Sequence, residues 1–200
     1  MQNRKLKRGT WRLPALLLLL AALVLAVSFA RQGSEKLKQA AYPTHYSEYV
    51  EYYAGKYAMD PMLIYAVIRT ESGFKADAVS SVDARGLMQI TEVTFQWLKA
   101  RIAPTEEITF DDIYDPETNI RFGSYYWACC LQRYGMDVST AAAAYFAGWG
   151  TVDKLLAKSE YSDNATTLKA FPHEGMSLYV KKINKNYNMY REIYCKDETA

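Results

Sequence analysis

An uncharged run of eighteen residues, Leu13 to Ala30, constrains this chain more than any other feature of its sequence. The run consists mostly of Leu, Ala and Val, and five basic residues precede it within the first twelve positions. A helix that spans a bilayer needs about 20 predominantly apolar residues, so the run is close to the lower limit for a membrane span. Basic residues ahead of such a run predict that the N-terminus stays in the cytoplasm.

Two interpretations of this segment remain open, a membrane anchor and a cleaved signal peptide. A signal peptide would be cut after a small-x-small site, for which Ser28-Phe29-Ala30 is a candidate. The length of the run and the bulky Phe29 favour the anchor. We therefore predict a basic cytoplasmic tail (1–12), a transmembrane anchor or signal peptide (13–30), a linker (31–44) and one catalytic domain (45–200). The anchored chain would be a single-pass cell-membrane protein with its domain outside the cytoplasm, and a cleaved chain would be secreted.

The charge of the exported part differs from that of the whole chain. The chain has 24 basic and 22 acidic residues, and with the five N-terminal basic residues set aside the remainder has a formal charge near −3. Binding to a phosphate backbone requires clustered Lys and Arg, so nucleic acid is not an expected partner. Half of the residues are hydrophobic, which excludes a disordered or collagen-like chain.

Apolar residues in the exported part recur with helical spacing, and no segment has a convincing strand pattern. Asp60-Pro61 and Asp115-Pro116 are typical of an N-cap followed by proline in the first helical turn. Met62 to Ile68 is apolar on every side, so we expect this helix in the middle of the domain. The sequence predicts an all-α single domain with helices at 46–58, 61–71, 92–101, 116–135, 139–147, 152–158 and 174–194.

Glu71 is the candidate for acid–base chemistry, because it lies at the end of the most apolar helix, just before Ser72 and Gly73. Burial disfavours an ionised carboxyl, and the negative end of the helix dipole repels it. Both effects predict a raised pKa, as a general acid for a glycosidic oxygen needs. A solvated Glu at a frayed helix end is an equally good interpretation of the pattern alone.

A series of short motifs follows in order along the chain: Glu71–Phe74, Ala78–Ser80, Gly86–Ile90, Asp115–Gly123, Ala144–Gly148 and Pro172–Val180. Together they resemble the signature of the soluble-lytic-transglycosylase family, whose catalytic domain has a lysozyme-like fold. The resemblance covers roughly residues 46–190. The basic tail and apolar segment ahead of this domain resemble the membrane-anchored members of the family.

The resemblance implies roles for the residues near the first motifs. Glu71 would be the only catalytic acid and base. Ser80 and Gln89 would hydrogen-bond near the bound amino sugar, and Met88 with the backbone of 86–90 would line the groove. The alternatives are that Gln89 is an amide satisfied within its loop and that Met88 fills the core.

For the later motifs, the resemblance implies that the Tyr145 hydroxyl lies close to Glu71 and that Tyr179 lies on the opposite wall. Glu174 would support that wall or contact the sugar. Tyr145 could instead be an aromatic residue that packs between helices. We expect Ser72 to be part of the helix end rather than a sugar ligand.

The resemblance also implies the reaction. The glycan strands of peptidoglycan would be cleaved between N-acetylmuramic acid and N-acetylglucosamine, with formation of 1,6-anhydromuramyl ends. The enzyme would act as a monomer, without a cofactor. Two alternatives remain: a hydrolytic muramidase of goose-lysozyme type, which would need a second carboxylate to position water, and a non-catalytic glycan-binding or scaffold module of an envelope machine.

The chain departs from the family pattern at four positions. Phe146 occupies the usual Asn position of the Ala-Tyr-Asn-x-Gly motif, and Gly175 stands where Thr normally follows Glu. Thr91 stands where Met is usual. Asp83 replaces a Gly, which is tolerable because Asp enters positive-φ conformations more readily than most residues.

Metal and thiol chemistry are not expected from the sequence. His45 and His173 are the only histidines and have no metal-ligand spacing, so no metal site is predicted. Cys129, Cys130 and Cys195 are too few for a disulfide framework. One bond from Cys195 to either of the other two remains possible in an oxidising compartment.

Overall fold

The structure is a computed structural model that describes residues 12–195, with side chains from residue 16 onward. The predicted cytoplasmic tail lies outside the described residues except for Arg12. The chain divides after Pro43 into two compact units.

The first unit contains one long helix, α1 (Arg12–Ala41). Its segment Leu16–Ala41 is long and apolar enough to cross a bilayer, and none of its most apolar window is buried against protein. The helix continues beyond the apolar run to Ala41, so the segment predicted as a linker is helical over most of its length.

The second unit is built from helices, as predicted. Between residues 44 and 195 the structure contains no strand, only isolated bridges that pair Val79 with Arg85 and Arg85 with Ile90. The helices are α2 (Ser47–Tyr57), α3 (Pro61–Glu71), α4 (Glu92–Ile102), a 3-10 helix (Phe110–Tyr114), α5 (Pro116–Arg133), α6 (Val138–Ala147), α7 (Trp149–Leu156) and α8 (Glu174–Tyr194).

Both predicted Asp-Pro helix starts are confirmed. Asp60 accepts a hydrogen bond from the Met62 N–H at 2.8 Å, and Asp115 accepts one from the Thr118 N–H at 2.8 Å. Each carboxylate therefore satisfies an N–H group of the first turn that has no partner within the helix.

Helix α7 begins earlier than predicted. Gly148, with φ of 80°, ends α6 and directly precedes α7, so the chain re-enters a helix at Trp149 rather than at Val152. The prediction also placed Tyr46 inside α2, whereas its φ of 63° puts it just before that helix. The 3-10 helix was not predicted, because five residues are too short for a periodic pattern.

The apolar helix α3 lies in the middle of the domain, which confirms the prediction from its sequence. Its residues Leu63 to Ile68 are all buried, and it packs against α2 on one side and α8 on the other. Helix α8 also packs along α6. The end of α3 is thereby fixed between the neighbouring helix α8 and the loop that follows residue 73.

Candidate active site

Helix α3 ends at Glu71 against the following loop. The Ser72 hydroxyl donates to the Leu87 carbonyl at 2.8 Å, and the Gly73 N–H donates to the Ile68 carbonyl at 3.1 Å. Gly73 has φ of 59°, which a residue without a Cβ adopts at little cost. The expectation that Ser72 belongs to the helix end is confirmed, and its hydroxyl ties that end to the loop beside Glu71.

Glu71 lies half-buried and in contact with α8. The Tyr179 hydroxyl donates to Glu71 Oε1 at 2.5 Å. Burial raises the pKa of the Glu71 carboxyl to about 7, and the hydrogen bond from Tyr179 lowers it only in part. The structure thus corrects the placement of Tyr179 on the wall opposite Glu71, because the two side chains touch.

The loop beside Glu71 is held by a buried amide that the sequence analysis assigned no role. Asn119 accepts a hydrogen bond from the Met88 N–H at 2.7 Å and donates to the carbonyls of Arg85 and Ile113 at 3.0 and 2.8 Å. A Cβ at Gly86 would lie 2.0 Å from Asn119 Nδ2, so only glycine fits there. The sequence signals were its place within the Asp115–Gly123 motif and a polar residue on the buried face of an amphipathic helix.

The two polar residues predicted near the sugar both brace the loop. The Ser80 hydroxyl accepts a hydrogen bond from the Ala84 N–H at 3.0 Å. Gln89 has φ of 50°, and its Nε2 donates to the carbonyls of Ala78 and Gly86 at 3.1 and 3.0 Å. The Nε2 group of Gln89 is therefore satisfied within the loop, as the alternative interpretation expected. The Oε1 atom of Gln89 is the one that can accept a hydrogen bond from a ligand.

Met88 fills the core and does not line the groove with its side chain, which corrects the implied role. The side chain is fully buried, and a Cβ at Gly123 would lie 2.5 Å from its sulfur. The backbone of Met88 does contact a groove residue, because its carbonyl accepts a hydrogen bond from the Tyr145 hydroxyl at 2.7 Å. The Tyr145 ring stacks on Trp127 and contacts Tyr126, with ring centroids 5.2 and 5.1 Å apart.

A groove of about 280 Å³ brings several of these side chains together. Three of the predicted sugar-binding residues, Ser80, Gln89 and Tyr145, line it with Glu71. Glu174 is exposed in the first turn of α8, and it is not among the groove-lining residues. The groove is lined by Glu71, Ser80, Val82, Ala84, Gln89, Thr91, Tyr145 and Phe146.

Asp83 occupies the position where the family pattern has Gly. It has φ of 57°, and its carboxylate pairs with Arg85 at 2.8 Å, so the replacement of Gly is accommodated as expected.

The cysteines form no disulfide among the described residues. Cys129, Cys130 and Cys195 are all free thiols. Within residues 12–195, no group of three or more His, Cys, Asp or Glu side chains could hold a metal ion.

Comparison with known proteins finds lytic murein transglycosylases of bacteria among the relatives of this domain. The soluble lytic murein transglycosylase of Escherichia coli K12 is 27% identical over 158 residues, which cover 78% of this chain and 24% of that protein. The membrane-bound lytic murein transglycosylase C of Photorhabdus laumondii is 32% identical over 117 residues, covering 52% of this chain and 32% of that protein.

A solved structure has the same fold. The 70 kDa soluble lytic transglycosylase of Escherichia coli matches with a TM-score of 0.69 at 26% identity, over 78% of this chain and 25% of that one. The chain thus spans a quarter to a third of the length of each of these relatives. A sequence profile for the Transglycosylase SLT domain matches residues 48–167, more than half of the chain. With the profile and the fold in agreement, the chain belongs to the Transglycosylase SLT domain family.

Proposed function

We propose that the domain is a lytic transglycosylase that cleaves peptidoglycan between N-acetylmuramic acid and N-acetylglucosamine, with Glu71 as the single general acid and base. The observation that carries the proposal is the environment of Glu71, a carboxyl in a groove whose pKa is raised by burial to about 7. A group with such a pKa can both donate and accept a proton near neutral pH. The names of the relatives support peptidoglycan as the substrate.

In the first step, Glu71 donates its proton to the glycosidic oxygen, and the bond from that oxygen to the anomeric carbon of the muramyl sugar breaks. The acetamido carbonyl of the same sugar stabilises the cationic carbon, so that no second carboxylate is needed. Among the described residues that line the groove, Glu71 is the only carboxylate, which supports this substrate-assisted route.

In the second step, the Glu71 carboxylate takes the proton of the 6-hydroxyl of that sugar, and the hydroxyl oxygen closes on the anomeric carbon. The product is a 1,6-anhydromuramyl end, and no water is consumed. Because the attacking group belongs to the same sugar, its effective concentration is high. The hydrogen bond from Tyr179 stabilises the ionised carboxylate between the two steps.

We propose that three residues of the groove orient the substrate. Gln89 Oε1 can accept a hydrogen bond from an N-acetyl or hydroxyl group, and the Ser80 hydroxyl can donate one. Tyr145 already donates its proton to the Met88 carbonyl, so we expect its ring to form the floor of the groove. Glu174, exposed at the start of α8, remains a proposed support of Tyr179 or contact of the sugar.

The test is digestion of purified cell-wall sacculi by the full-length chain in detergent. We expect soluble muropeptides with anhydro ends, and a Glu71→Gln variant is expected to release at least about a thousandfold less, because it lacks the transferable proton. Glu48→Gln, which changes an exposed carboxylate on α2, is the matched control and should keep full activity.

The same digest separates the alternatives. Muropeptides with hydrated reducing ends, heavier by one water, would instead indicate a muramidase. Binding to sacculi without release by the unchanged protein would indicate a scaffold module. Equal release by the unchanged protein and Glu71→Gln would remove Glu71 from the mechanism.

We propose further that α1 anchors the chain in the cell membrane with the domain on the extracytoplasmic side, where peptidoglycan lies. Its length and apolar composition support this location, as does the name of the membrane-bound relative. The chain would then act as a monomer on glycan strands within reach of the membrane.

A further inference from the structure

A second pocket on the domain contains three aromatic rings, and two of them are indoles. Its volume is about 180 Å³, and it is lined by Val93, Thr94, Trp97, Tyr126 and Trp149. All three aromatic side chains are partly exposed. Aromatic walls with a few polar groups are typical of sites for small ligands. Neither indole takes part in the proposed reaction, so this pocket has no role so far.

The rings of the pocket are held at fixed angles to one another. The Trp97 and Trp149 ring centroids are 5.2 Å apart, with an angle of 85° between the planes. Tyr126 is inclined by only 25° to Trp149, whose Nε1 donates to Cys130 Sγ at 3.2 Å. Arg101 Cζ lies 3.7 Å from the centre of the Trp97 ring. The two indoles therefore form a preorganised corner, and a ligand would have little side-chain freedom to remove on binding.

Two contacts connect this pocket with the groove that contains Glu71. The Tyr145 ring, which lines the groove, has its centroid 5.1 Å from that of Tyr126 in the pocket. At the start of α4, the hydroxyl of Thr91 in the groove donates to Thr94 Oγ1 in the pocket at 3.0 Å. Groove and pocket are thus neighbours along two elements. A polymer that lies in the groove can extend into the pocket along the protein surface.

The chemistry of the pocket fits a neutral sugar ring. The C–H face of an N-acetylhexosamine is apolar and can stack on an indole, as apolar groups do on aromatic side chains. Its hydroxyl groups need only a few partners, and the Thr94 hydroxyl accepts from Thr91 and keeps its own proton to donate. A cationic ligand is disfavoured, because Arg101 lies against Trp97 and Arg133 Cζ lies 5.1 Å from the centre of the Trp149 ring.

We propose that Trp97 and Trp149 form a distal subsite, which stacks one further N-acetylhexosamine ring of the glycan strand that lies at Glu71. This inference rests on the proposed function and deepens it, because it gives the enzyme a preference for longer strands. The distal subsite binds the strand equally before and during bond cleavage. Binding of that kind lowers KM and leaves kcat unchanged.

The experiment measures the affinity of the full-length Glu71→Gln variant in detergent for β-1,4-linked N-acetylglucosamine oligomers, from the disaccharide to the hexasaccharide. Calorimetric titration should show a gain of roughly tenfold, equivalent to about 1.4 kcal/mol, at the length that reaches the pocket. Trp97→Ala in this background should lose the gain and keep the affinity for shorter oligomers. Trp97→Tyr, which retains an aromatic face, should keep most of the gain.

A second variant tests the pocket without removing an aromatic ring. Val93 is 82% exposed at the pocket, so Val93→Lys places a longer side chain there and leaves both indoles in position. It should lose the same gain with length. Tyr52→Ala removes a 61% exposed ring from α2 and is the matched control, for which the affinity at every length should be unchanged.

Unchanged affinities at every length in folded Trp97→Ala and Val93→Lys variants would overturn the inference and leave the proposed function standing. An equal loss at all lengths would also overturn it, because the effect would not belong to a distal subsite. Titration with a free stem peptide of peptidoglycan tests the other occupant, and Trp97-dependent binding of that peptide would overturn the assignment to a sugar. Absence of anhydro ends from the sacculus digest would overturn the proposed function alone, since these affinities are measured without cleavage.

Discussion

At the scale of single residues, the candidate site depends on how Glu71 is enclosed. The sequence indicated the carboxyl itself, because a Glu three positions beyond a fully apolar helical run is unusual. It could not indicate which hydroxyl would meet it. Tyr145 and Tyr179 both follow at a distance in the chain, and only the packing of α8 on α3 decides that Tyr179 makes the contact.

The raised pKa of Glu71 predicts a pH-dependent stability. The pKa is about 7 in the folded chain against an ordinary value of 4.5, so the folded state holds a proton that the unfolded state loses between these values. The contribution of Glu71 to the free energy of unfolding is therefore most favourable below about pH 4.5. It is lost as the pH rises to about 7. Glu71→Gln removes this loss, and we expect it to be more stable than the unchanged chain by up to about 3 kcal/mol near pH 8.

Urea unfolding over a series of pH values, followed by circular dichroism, measures this difference. The two chains should converge at acid pH, where Glu71 is protonated in both states. Glu48→Gln should follow the unchanged chain throughout. A constant offset between Glu71→Gln and the unchanged chain at every pH would show that the carboxyl is not perturbed.

At the scale of elements, the helices were largely predictable and the loop between α3 and α4 was not. Asp-Pro starts and apolar periodicity define helices locally, within a few residues of sequence. The course of the loop instead depends on Asn119, which lies 31 positions after the Met88 N–H that it binds. The role implied for Met88 was corrected, because its N–H is held by a partner in α5 and its side chain fills the core.

Asn119 is expected to stabilise both the domain and the groove. Asn119→Ala leaves the Met88 N–H and the carbonyls of Arg85 and Ile113 without their partner in a buried position. We expect a loss of about 2–4 kcal/mol from the free energy of unfolding, measured by urea denaturation. Amide hydrogen exchange should rise at residues 85–90.

Two further variants define the cause. Asn119→Asp keeps the acceptor for Met88 but loses both donors, so it should also be destabilised. Asn188→Ala removes an exposed amide from α8 and is expected to change stability by less than about 0.5 kcal/mol. An Asn119→Ala variant as stable as this control would mean that the loop is held by other contacts.

At the scale of the whole molecule, hydropathy and charge were enough to predict an apolar N-terminal segment ahead of the helical domain. The structure divides into two compact units after Pro43. The length of α1 was underestimated, because the polar residues after the apolar run look like a linker when only hydropathy is considered. Helical propensity continues through them to Ala41.

The anchor predicts a specific behaviour on fractionation. The full-length chain should sediment with membranes, resist a high-salt wash and be released by detergent, since its apolar segment is long enough to span. Deletion of residues 13–30 should leave the chain in the soluble fraction. A soluble protein that begins near residue 31 would instead establish the cleaved signal peptide.

The contact between Glu71 and Tyr179 joins residues 108 positions apart, with one partner on the last helix of the domain. A chain that is still emerging from the ribosome, or one truncated before α8, therefore lacks the hydroxyl that donates to the Glu71 carboxyl. On the proposed function, we expect cleavage of glycan only after α8 has been synthesised and has packed against α3.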